Sequence, residues 1–261
     1  MTIDYGRFAE RLTAPWPQRR QLVEEVQREF GYEAVVGTEK KADVLLEVSD
    51  VPEALAAWTA SPVNSFFAHR GLYETSLQWP PEQAGEHSVF MTEYEGCCFW
   101  GYRTADAPLP DPAVWIGYPD DEDGPWEPLS RSVTEWLVQM AVVRVLPEYA
   151  FNGGVRTFGT DEDVQGRAVR AALPELGLLP WPETGNTFHF FGARDAIVVW
   201  MSEHDAWECG DLEIYGRTED AVREAAGLLG VALDRDEVRE PRRGTLTSRV
   251  PRAPHLGTLS G

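Results

Sequence analysis

Hydrophobic and polar positions follow two periods along this chain, and each change of period marks an element. From Pro17 the spacing is helical. Leu22, Val23, Val26 and Phe30 share one face, Glu24, Glu25 and Arg28 the other, and Gly31 ends the run. Before it, residues 1–15 predict an N-terminal arm or a short helix over 6–12. Residues 44–48 read as a strand or a lead-in to the next helix, which Asp50, Pro52 and Glu53 start and which presents Leu55 and Trp58. An apolar run at 63–68 ends at Gly71, and Pro80-Pro81 closes this first third.

The period then shortens to two. Residues 89–92 and 97–102 predict a β-hairpin around the turn Glu93-Tyr94-Glu95-Gly96. Cys97 and Cys98, placed in its second strand, would point to opposite faces and could not share a metal. Val114-Trp115-Ile116 predicts a third strand, entered through Asp111-Pro112. Ser132-Val-Thr-Glu135 is a capping box that fixes a helix start. Val133, Trp136, Leu137, Met140, Ala141 and Val145 give that helix a broad apolar face, and Val138, Val142 and Val143 leave little polar surface. It is expected to end at Pro147 and to lie in the core or under an outer cover.

A second block runs over 155–233. Thr160 to Asp163 can cap a helix reaching Ala172. Residues 187–191, 196–201 and 212–215 predict three strands, and Thr218 caps a helix that buries Val222, Ala225, Ala226 and Leu229 before Gly230. The expected fold is α+β, a mostly antiparallel central sheet wrapped by helices with a C-terminal ββ(β)α extension. Its divisions are an arm (1–15), a core (16–150), an extension packed on the core (151–234) and a tail expected to be mobile (235–261). No period of 20 to 50 residues points to a solenoid.

Charge adds the first functional constraint. Among 261 residues, 23 Lys and Arg stand against 43 Asp and Glu, for a net charge of −20. Six arginines lie in the tail, so the body before it is more negative still. Such a surface repels nucleic-acid phosphates and draws basic partners. No apolar run reaches the roughly 18 residues that a membrane helix needs. The N-terminus lacks the apolar stretch of a secretion signal, and three cysteines make no disulfide framework, so a cytoplasmic protein is expected.

Catalytic chemistry is hard to find. Glycine-rich nucleotide loops, a Walker loop, a nucleophile elbow and the zinc-protease motif are all absent from the sequence. Asp120 to Gly124 has the wrong spacing for a calcium loop, since its first and twelfth positions would be Pro119 and Ser130. The densest group of ligand types, Glu203, His204, Asp205, Glu208 and Cys209, reads as a polar hairpin turn, and neither a metal nor a cofactor is expected. His189, inside an aromatic strand, reads as a hydrogen-bonded core residue. Trp58, Trp100, Trp115, Trp136 and Trp200 fall in apolar periodic segments and are expected in the core.

The order of these parts resembles the SUKH superfamily, the Smi/Knr-like group that includes bacterial immunity proteins. The likeness lies in the helix opening Val51-Pro-Glu-Ala-Leu55, the acidic turn and strand carrying Glu93, Gly96, Trp100 and Gly101, and the strand opened by Asp111 and Pro112. The helix with Trp136 closes the set. Ala113, Tyr94 and Glu95 depart from the family pattern. The resemblance implies a non-enzymatic α+β protein that neutralises a cognate toxin by binding it. Charge makes a basic toxin, such as a nuclease, the expected partner. Asp120, Asp121, Glu122 and Asp123 are the expected contacts, with Trp126 as an aromatic anchor. A cytosolic regulator or scaffold that holds a cellular enzyme is the alternative, and a metal-dependent enzyme around His204 and Cys209 the third.

Overall fold

The computed structural model describes residues 2–30, 51–60, 75–93, 96–118, 125–156, 162–183, 186–203, 210–233 and 237–241. The expectations at 44–48, at 63–68, at Asp120 to Asp123 and at 204–209 lie outside these residues.

The fold is α+β, with two antiparallel sheets. Residues 2–15 take the helical alternative, as a 3-10 turn (Tyr5–Arg7) and helix α1 (Phe8–Leu12). Ile3, Tyr5, Phe8 and Leu12 are buried, so this segment belongs to the core rather than forming an arm. Two short helices, α2 (Trp16–Arg19) and α3 (Leu22–Glu29), replace the single one expected, and α4 (Glu53–Ala60) buries Leu55 and Trp58 as its pattern demands.

The first sheet is a five-stranded meander: β1 (Thr75–Ala84), β2 (His87–Glu93), β3 (Phe99–Arg103), β4 (Val114–Gly117) and β5 (Glu127–Ser130). Periodicity missed both edge strands because each contains proline. Pro80 and Pro81 lie where β1 slips register against β2, Trp79–Pro80 is cis, and Pro128 sits in β5. Edge strands tolerate proline because one side of the ladder needs no donor. Cys97 and Cys98 precede β3 instead of alternating within it, which corrects the opposite-face reading. Gly96, at φ +75°, and the Glu93 side chain, which accepts the Cys97 N–H at 3.0 Å, shape that turn.

Helix α5 (Val133–Met140) follows, and all eight of its residues are buried. It continues through a π-helical turn (Ala141–Val145) into α6 (Leu146–Tyr149) and so runs past Pro147, which has no N–H to give to the preceding turn. Trp136 on α5 contacts Phe90 edge-on at 5.0 Å, Trp100 at 5.8 Å and Trp181 at 6.5 Å. These rings tie both sheets to one core. The Gln139 side chain on α5 is satisfied at both ends: it accepts from Ser130 at 2.5 Å and donates to the Leu179 carbonyl at 2.8 Å.

The second sheet holds β6 (Phe151–Arg156), β7 (Trp181–Glu183), β8 (Asn186–Ala193), β9 (Ala196–Glu203), β10 (Gly210–Gly216) and β11 (Val238–Arg239), in the order β11-β6-β10-β9-β8-β7. Strand β11 belongs to the stretch expected to be mobile. Helices α7 (Glu162–Ala172) and α8 (Glu219–Leu228) complete the fold, and a second core of Phe191, Val198, Trp200, Leu212 and Ile214 packs with residues of both. The alternate residues Phe190, Ile197, Val199 and Tyr215 join the main core. Both faces of this sheet are therefore covered.

The two sheets share a plan. Each meander, β2 to β5 and β7 to β10, runs into a helix at the same distance. Val114 pairs with Ser130 and Ala196 with Gly216, each two residues before a hydroxyl N-cap, Ser132 or Thr218. An arginine, Arg131 or Arg217, fills the gap. A Phe-aromatic-Gly-x-Arg strand appears in both, at 99–103 and 190–194.

Candidate functional site

In the second sheet, the face opposite α8 is covered by the rest of this chain. Even Gly192 lies against the carbonyl of Tyr5, so closely that a Cβ would clash. The corresponding face of the first sheet, opposite α5, carries side chains that are only partly covered.

Strand alternation selects them. Trp100, Tyr102, Val114 and Ile116 enter the main core, so Gly101, Arg103, Trp115 and Gly117 point outward. Trp115 was expected in the core but is half-buried, because its pairing with Gly101 puts it on the outer side. Trp126, entering β5, lies across the two glycines: a Cβ on Gly117 would meet its ring at 3.0 Å, and one on Gly101 at 3.3 Å. The glycines make the floor that lets the indole lie close to the backbone.

His87 links the rings. It stacks on Trp126 with centroids 4.3 Å apart and planes 14° apart, and meets Trp115 at 5.6 Å. The Arg103 guanidinium lies 4.3 Å from the Trp115 ring centre. A continuous row, Arg103, Trp115, His87 and Trp126, thus crosses the sheet. Burial holds the His87 imidazole below its ordinary pKa, and Arg103 adds to this against the weaker pull of Glu86 and Asp106. At neutral pH the row carries one cation, Arg103.

Of the expected contacts, Trp126 falls in this row, as a half-buried ring packed on its own sheet. Asp120 to Asp123 lie outside the described residues, in the segment that joins exposed Tyr118 to exposed Pro125. Sequence reasoning overlooked His87, Arg103 and Trp115. The available signal was the pair of glycines in strands otherwise built of large residues.

The motif residues serve the architecture. Gly101 floors the row, Trp100 and Trp136 fill the core, and Glu93 and Gly96 form the hairpin turn. Asp111 and Pro112 cap α5: Val133 donates to the Pro112 carbonyl at 2.8 Å and Thr134 to the Asp111 carboxylate at 2.9 Å. His189 lies 3.3 Å from the Ser202 hydroxyl, as a bonded histidine would. Among the described residues no three His, Cys, Asp or Glu side chains gather as metal ligands, and no helix is long and apolar enough to cross a membrane.

Comparison with known proteins adds nothing to this geometry: no family model, curated protein or solved structure matches the chain.

Proposed function

We propose that this chain is a non-enzymatic binding protein that docks a basic protein through the outer face of its first sheet. The observation that carries this reading is the aromatic row, with Trp115 and Trp126 only partly buried, continuous in sequence with an acidic run, in a chain of net charge −20. Aromatic rings held rigid by a glycine floor lose little entropy on binding and supply anchors. The carboxylates that precede Trp126 in sequence would steer a cationic partner and set its orientation. The likeness to SUKH proteins makes that partner a cognate toxin, neutralised by direct binding in the cell that produces it.

The test is co-expression with each neighbouring reading frame. One product is expected to kill alone, to be rescued by this protein and to be pulled down with it. Reversing Asp120, Asp121, Glu122 and Asp123 together, or replacing Trp126 by Ala, is expected to weaken that complex at least tenfold. Unchanged affinity in both variants would remove this face from the interface. Harm on deleting the gene where no toxin is present would favour the regulator reading instead.

A further inference from the structure

Gln27 occupies a core position on α3, beside Leu22, Val23 and Val26, at 1% exposure. Helical periodicity calls for an apolar side chain there. Neither its Nε2 nor its Oε1 has a hydrogen-bond partner among the described residues. A buried amide unpaired at both ends is a cost that folded chains rarely carry without a use. Gln27 is among the residues that line a cleft of about 30 Å³ between α2, α3, α4 and α5, with its amide buried beneath that surface.

The cleft has a definite chemical character. Trp16, Val23, Trp58 and Leu137 are among its lining residues, with Arg20 and Glu24. The Trp16 indole N–H donates to Glu53 at 2.8 Å, which fixes one side chain of the lining. The volume suits a polar group of a few atoms.

We propose that this cleft is a socket for an amide group, presented by the partner protein as an Asn or Gln side chain or as a main-chain peptide. Gln27 needs an acceptor for its N–H and a donor for its carbonyl oxygen, side by side. An amide supplies both in one flat unit. A carboxylate offers no donor and a guanidinium no acceptor, so either would leave one end of the Gln27 amide unpaired. The inference rests on the partner-binding reading for the source of the amide, but the socket itself can be tested without a partner.

The experiment uses the full chain labelled with nitrogen-15, following the Gln27 side-chain amide and the indole N–H signals of Trp16 and Trp58. Acetamide is expected to shift them saturably, with half-saturation on the order of millimolar for so small a ligand. Acetate and methylguanidinium are expected to bind at least tenfold more weakly. The response should vanish in Gln27→Leu and Gln27→Met, both of which should melt no lower than the wild type. N-methylacetamide binding as well as acetamide would assign the socket to a main-chain peptide, and acetamide alone to a side chain. No saturable shift, or equal shifts with all three probes, would mean that the cleft takes water only and would overturn the proposal. That result would leave the toxin test untouched, just as failure of the toxin test would leave an acetamide response standing.

Discussion

The Asp111 carboxylate accepts the backbone N–H of Thr134 at 2.9 Å, closing a contact between residues 23 apart in the chain. Three successive N–H groups at the start of α5 are thereby accounted for: Val133 reaches the Pro112 carbonyl, Thr134 reaches Asp111 and Glu135 reaches the Ser132 hydroxyl. The Glu135 carboxylate returns to the N–H of Arg131, one residue before the position that a capping box usually serves. Strand entry and helix start are one joint.

Asp111→Ala should cost about 1–2 kcal/mol, the usual value of a lost cap, and lower the melting temperature by about 3–6 °C. Burial raises the Asp111 pKa above its ordinary 3.8 despite the Thr134 hydrogen bonds and nearby Arg19. The folded state therefore holds this proton more tightly than the unfolded chain. Stability from this group is greatest below the ordinary carboxylate range and falls as pH rises through the folded value. Asp111→Asn should gain on the wild type across that window, measured as the difference in melting temperature between pH 3 and 7.

Gly101 and Gly117 should respond unequally to alanine. A Cβ at Gly101 would meet the backbone carbonyl of Ser88 at 2.7 Å, which cannot swing away. Gly101→Ala should cost about 1–3 kcal/mol. At Gly117 the obstacle is the Trp126 side chain, which can. Gly117→Ala should fold with a smaller loss and with the Trp126–His87 stack disturbed, read from the His87 ring signals.

Those ring signals should also titrate below the ordinary histidine value of 6.5. A histidine whose folded pKa is lowered contributes stability that is present above its unfolded value and is lost as pH falls through it. Proton NMR of His87 should show the lowered value, and Arg103→Ala should move it upward. A normal value in the wild type would mean that the ring is not held enclosed in its stack.

Arg217 pairs with Glu29 at 2.5 Å and with Asp195, bonds the Ile3 carbonyl and lies 5.0 Å from the Tyr5 ring centre. Arg217 and Glu29 are only 12% and 14% exposed, so removing one strands the other. Arg217→Met should destabilise by about 3–5 kcal/mol, with little relief from salt, in a urea titration.

The sequence alone determined the elements whose cause is local. Thr218 and Ser132 cap helices because a hydroxyl there meets a nearby N–H whatever the tertiary setting, and the alternation of β8, β9 and β10 exposes their strand period directly. The tertiary structure decided what depends on partners far along the chain. Pro80 and Pro128 are admitted to strands because β1 and β5 are edges, a property of the assembled sheet. Residues 3–12 become core because Arg217 and Glu29 close on them. Trp115 is turned outward by its register opposite Gly101, and an apolar pattern cannot reveal which side of a sheet its helix will cover.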